Sequence, residues 1–183
     1  MSGRRAMERI ALIIAYEGFQ EVEYAHTRAA VEEAGINVQV ASDQVGVAHS
    51  ANHELSVSVD VLVEDIVLGA HDGVFLIGGP GALEHLDTNA VKKLLQRAYE
   101  QGLWIGAICI SPRILLKAGL LDGKRMTGWN DDKVLTALAP VYGAEYLEQP
   151  VIIEDRIITA EGPAAATLFG RAIAEVLAIE RSL

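Results

Sequence analysis

Ile10-Ala-Leu-Ile-Ile-Ala15 contains no polar side chain. Six residues suffice for a strand but not for a buried helix, and a strand apolar at every position must be covered on both faces. That one run demands a sheet sandwiched between layers. The pattern recurs at 72–77 (Asp-Gly-Val-Phe-Leu-Ile) and at 103–108 (Leu-Trp-Ile-Gly-Ala-Ile), with a further strand at 37–41. Helical spacing fills the intervals. A helix is expected over 20–34, with Val22, Ala25, Ala29 and Val31 as its buried stripe and Gly35 as its stop; another over 89–101 buries Val91, Leu94, Leu95 and Ala98. Shorter helices are expected at 113–118, ended by Gly119, and at 131–138, and a closing one at 167–179. Residues 45–48 and 55–59 suggest a side hairpin, a strand-like stretch ends at Met126, and 151–154 with 156–160 form a hairpin through Asp155. Strands alternating with helices define an α/β fold, a three-layer α/β/α sandwich with a mostly parallel sheet. The reading is one domain over 1–183, with residues 1–7 a disordered start.

With 183 residues the chain can bury a full core without staples. A net charge of −10 and the lack of a basic run argue against nucleic acid as a tight partner. No apolar stretch is long enough to cross a bilayer, so no membrane partner is expected. The single cysteine rules out an intrachain disulfide and fits a reducing cytoplasm.

That cysteine, Cys109, stands where the third apolar run ends. Ser111-Pro112 follows and reads as a helix start, Ser111 offering an N-cap oxygen and Pro112 suiting the first helical position. A lone cysteine in a chain that is 51% hydrophobic is usually inert core. The strand–Cys–Ser–Pro–helix setting instead resembles a nucleophile elbow, where helix dipoles favour the thiolate. Open α/β sheets place their sites outside the carboxyl ends of the strands. The loops leaving those ends carry Glu17, Glu21 and Glu23, then Gly78-Gly79-Pro80-Gly81, then Cys109. Gly79 could expose an N–H as half of an oxyanion hole, although the same four residues also make a plain strand-to-helix turn. Glu23 is set apart by its Ala and Val neighbours, and spacing alone does not choose among the three carboxylates. No dinucleotide or Walker-type glycine loop is present. His49 and His53 are expected to stay apart, so no metal centre and no cofactor are expected.

Four segments resemble the ThiJ/PfpI superfamily, whose fold is similar to that of class I glutamine amidotransferases and flavodoxin-like domains. They are 11–15 with Phe19-Gln-Glu-Val-Glu23, then Leu76-Ile-Gly-Gly-Pro80, then 107–112 (Ala-Ile-Cys-Ile-Ser-Pro) through 118–123, and Thr159-Ala-Glu-Gly-Pro163. The likeness spans about residues 8–180 and is nearer the Parkinson-disease-linked deglycase branch than the protease-like branch. It implies that Cys109 is the nucleophile and the site of oxidation, and that Glu23 is the carboxylate bonded to its sulfur. The N–H groups of Gly79 and Ile110 become the oxyanion pocket, with Trp129, Gly162 and Pro163 around the substrate. Implied substrates are small aldehydes such as methylglyoxal, or the adducts these form with amines and thiols; the implied assembly is a homodimer. An oxidation-sensing or holdase role for Cys109 is the alternative. Cysteine peptidase action ranks below both, because Ile110 stands where the protease-like branch has histidine. Gln20 replaces a second acid found in many relatives, and Trp129 a histidine.

Overall fold

The computed structural model of the chain describes residues 8–182, so the start expected to be disordered lies outside the described residues. The chain opens with β1 (Arg9–Ile13), β2 (Glu17–Phe19), α1 (Glu21–Glu33) and β3 (Asn37–Ser42). A hairpin of β4 (Gly46–Ser50) and β5 (Ser56–Val59) follows, then β6 (Val61–Leu62) and β7 (Gly73–Leu76). Next come α2 (Ala82–Leu86), α3 (Asn89–Glu100), β8 (Trp104–Ile108) and α4 (Pro112–Lys117). The last third holds β9 (Arg125–Met126), α5 (Val134–Val141), β10 (Glu145–Tyr146), β11 (Val151–Glu154), β12 (Ile157–Ala160) and α6 (Ala166–Ser182).

Seven strands form the main sheet in the order β11-β12-β8-β7-β1-β3-β6. Every pairing is parallel except β11 with β12. The apolar runs sit at its centre: residues 10–15 and 74–77 are buried throughout. Such strands bury both faces only because helices cover both. From β1 the chain crosses through α1 to β3 on one side, then from β7 through α3 to β8 on the other; right-handed crossovers therefore set α1 and α3 on opposite faces. On one face α1 packs closely on α6, where Phe169 meets Phe75 edge-on with ring centres 6.0 Å apart. On the other, α3 and α4 lie over β7 and β8. Strand order reverses between β1 and β7, which opens the crevice where α/β sheets bind ligands.

Three expectations are corrected. The buried stripe of α1 is Glu23, Tyr24, Thr27, Ala30 and Val31, while Ala25 and Ala29 face solvent and Val22 is half-buried. Alanine carries too little apolar area to fix a helix's rotation, and Tyr24 carries much more. Helix α5 starts three residues later than expected, because Lys133 at φ 60° interrupts the turn before it. Finally, 17–19 form strand β2, paired in parallel with β4, where only a turn was expected.

Candidate active site

Cys109 follows the last residue of β8, and its N–H still belongs to the sheet, donating to the Ala160 carbonyl at 2.9 Å. The chain then turns sharply: Cys109 has φ 64°, the left-handed region that costs a non-glycine residue about 1–3 kcal/mol. Ser111 does not cap the helix as expected. Its hydroxyl is fully buried and donates to the Ile77 carbonyl at 2.8 Å, tying the elbow to the end of β7. Pro112 does occupy the first turn of α4.

Glu23 arrives from the other side of the switch point. Gln20 caps α1, its side-chain oxygen accepting from the Glu23 N–H at 2.8 Å, which sets the helix start and aims Glu23 inward. The Glu23 side chain has no solvent exposure. Its Oε2 accepts from the Gly78 N–H at 2.8 Å. The carboxyl also stands close enough to the Cys109 thiol for each to shift the other's proton affinity, while Oε1 has no hydrogen-bond partner.

Two glycines permit this crowding. A Cβ on Gly78 would stand 2.6 Å from the Cys109 Cβ and 2.7 Å from Glu23 Oε2. Gly79, at φ 118°, would drive a Cβ to 2.5 Å from both the Gln20 nitrogen and the Gly18 carbonyl oxygen. The demand for glycine is thus backbone packing, in addition to the open N–H expected from sequence. The N–H groups of Gly79 and Ile110 lie near enough to the Cys109 sulfur to favour its charged form.

Electrostatics here run against the expected low thiol pKa. Desolvation pushes the Cys109 thiol up, and the Glu23 carboxylate adds to it; the Ile110 and Gly79 N–H groups only partly offset this. Desolvation also raises Glu23, to about 7, against the opposing pull of the neighbouring Cys109 thiol and of the bond from Gly78. Two negative charges cannot share so dry a pocket, so the thiol keeps its proton near neutrality and Glu23 gives up its own as pH passes about 7. Helix dipoles alone do not ionise this sulfur. The carboxyl has to take its proton.

A cleft of about 230 Å³ opens beside the elbow, lined by Gly128, Trp129, Tyr146, Glu161, Gly162 and Pro163 among others. Cys109 is not in that lining but adjoins it: its carbonyl accepts from the Trp129 N–H at 2.7 Å, and the sulfur-bearing residue is half-buried. Gly162 and Pro163 therefore line the same cleft as Trp129, while Glu23, Gly79 and Ile110 gather at the sulfur itself. Gly78 and Arg113 did not stand out as site residues in the sequence. The Gly-Gly doublet after a buried strand was a signal for the first; an arginine at the start of a helix was one for the second. The hairpin turn brings the His49 and His53 rings to 6.4 Å, correcting the expectation that they stay apart. Among the described residues no group of three or more His, Cys, Asp or Glu could hold a metal ion. No described helix is long and apolar enough to cross a membrane.

A doubly wound, flavodoxin-like sheet with a cysteine elbow at its switch point defines the class of protein. Residues 8–176 match the DJ-1/PfpI family, and the chain belongs to it. Among its relatives is a glutathione-independent glyoxalase of Caenorhabditis elegans, 28% identical over 173 residues, covering 94% of this chain and 90% of that protein. A deglycase of Thermococcus kodakarensis is 28% identical over 155 residues, 83% of this chain and 89% of its own length. The fold superposes on a ThiJ/PfpI domain protein of Brachyspira murdochii with a TM-score of 0.88, covering 97% and 98% of the two chains at 22% identity.

Proposed function

We propose that this protein is a cysteine-dependent glyoxalase or deglycase, acting on methylglyoxal-like 2-oxoaldehydes or on the adducts they form with amines and thiols. The observation that carries the reading is the Cys109–Glu23 pair, a buried carboxyl of raised pKa set against a thiol with two N–H groups nearby. A carboxyl whose pKa lies near 7 is matched to both accepting and returning protons at neutral pH. In the proposed sequence the Cys109 sulfur bonds to the aldehyde carbon while its proton passes to Glu23. The carbonyl electron pair becomes an oxyanion, which the Gly79 and Ile110 N–H groups stabilise, and protonation gives a hemithioacetal. Glu23, returned to the carboxylate, removes the former aldehyde hydrogen to give an enediolate; a proton is delivered to the neighbouring carbon, and the hydroxyl proton on the sulfur-bearing carbon passes to the neighbouring oxygen. The product is a thioester of the 2-hydroxy acid. Water cleaves it, releasing the acid and restoring the thiol, so the aldehyde and one water become lactate (glycolate from glyoxal). On a hemiaminal adduct the sulfur instead replaces the amine at that carbon: the C–N bond breaks, the amine leaves with the proton given up by the thiol, and the hemithioacetal continues along the same route. The relatives named glyoxalase and deglycase support this chemistry.

Lactate formation from methylglyoxal tests it. Cys109→Ser should reduce turnover to background, and Glu23→Gln should lower kcat by about a hundredfold or more, the usual worth of a positioned acid–base group. Turnover undiminished in Cys109→Ser would sink the proposal. A second reading, oxidation sensing, draws on the partnerless Glu23 Oε1, which could bond an oxidised sulfur. It requires selective addition of two oxygens at Cys109 under mild peroxide, seen by intact mass, in a protein without aldehyde turnover. The resemblance to the deglycase branch also implies a homodimer, checked by a light-scattering mass of twice the chain's own.

A further inference from the structure

Arg113 breaks two rules of placement at once. It is a cation in the first turn of α4, the end of a helix that repels positive charge, and it is only 5% exposed. Its Nη2 donates to both carboxylate oxygens of Asp132, at 2.7 and 2.9 Å, and reaches the Trp129 carbonyl at 3.4 Å. The guanidinium carbon sits over the Trp129 ring, 5.5 Å from its centre. Its Nε is buried without a partner. An apolar residue at this position would avoid both the desolvated charge and the unmet donor. What the arginine fixes is the segment beyond it. Trp129 is gripped on its ring and its carbonyl by Arg113, while its N–H is bonded to the Cys109 carbonyl at 2.7 Å. Asp132 in turn accepts the Val134 N–H at 3.1 Å, anchoring the same loop to the start of α5.

We propose that Arg113 is a positioning residue that sets substrate size. Paired with Asp132, it holds the Trp129 indole as a rigid wall of the cleft beside Cys109, and so limits the bulk of the group that reaches the sulfur. Lysine could reach Asp132 with its one nitrogen but lacks the planar face that lies over the indole. The inference rests on Cys109 being the reacting group, but it does not require that the substrate be an aldehyde.

The test uses Arg113→Lys and, because a buried change can impair folding, the solvent-side variant Asp132→Asn. Both are made in a Trp104→Phe background, which leaves Trp129 as the only indole. Alkylation of Cys109 by iodoacetamide and by the bulkier N-phenylmaleimide is followed alongside turnover of methylglyoxal and phenylglyoxal. In each variant the bulky-to-small alkylation ratio should rise about fivefold over the parent, as expected for losing a contact of about 1 kcal/mol. The KM for phenylglyoxal should fall with little change in kcat for methylglyoxal, and Trp129 emission should shift to the red. An unchanged ratio in both variants overturns the inference. So does an equal loss of both alkylation rates, or a changed ratio with Trp129 emission unaltered. If the parent turns over neither aldehyde, the glyoxalase reading fails while the alkylation ratio still decides the role of Arg113.

Discussion

At Glu23 a single buried proton links stability to chemistry. The folded protein raises this carboxyl from 4.5 to about 7, chiefly by desolvation, so the unfolded chain releases the proton at lower pH than the folded one. The stabilisation is therefore complete below about pH 4.5 and is lost as pH climbs through 7. Relative to Glu23→Gln, the wild type should lose about 3 kcal/mol between pH 4.5 and 8, read from urea midpoints at each pH. The same proton should shape catalysis: kcat/KM for methylglyoxal should rise with pH and level off above about 7, as Glu23 becomes free to accept from the thiol. Gly78→Ala should cost roughly 1–3 kcal/mol in chemical denaturation and most of the activity, because its methyl would occupy space held by Cys109 and Glu23. The position of Cys109 was legible in the sequence, since a strand, a cysteine and Ser-Pro in succession leave little choice of place. Its proton affinity was not. Desolvation depends on what packs around the sulfur, and that packing comes from elements up to 86 positions away, a separation given by 109 − 23.

Among the elements, those with a solid apolar run or strong helical spacing could be read directly: β1, β7, β8, β12 and α3. Those missed were brief or depended on partners. Strand β2 has three residues and exists through its pairing with β4; β6 and β10 have two each. The extent of helix α1 is legible from its composition but its rotation is not, because its most consequential inward residue is a carboxylate. Ser111 shows the same limit on a smaller scale. Its hydroxyl could cap α4 or reach another element, and it chooses the Ile77 carbonyl. Ser111→Ala should therefore cost about 1–3 kcal/mol, the cost of a buried carbonyl left without its donor, and not merely the loss of a helix cap. Hydrogen exchange should show the end of β7 loosening in that variant while the last turn of α4 stays protected.

For the molecule as a whole, α1 and α6 form the closest helix pair, with Thr27 Oγ1 donating to the Ala166 carbonyl across 139 positions of sequence. At Gly170 the approach is so tight that a Cβ would come within 2.7 Å of the Thr27 carbonyl oxygen. The helix that delivers Glu23 to the sulfur thus rests on a helix synthesised far later. Removing the chain from Ala166 onward should therefore leave the elbow cysteine without a firmly seated acid beside it. Turnover of the kind proposed would then begin only once the closing helix has docked.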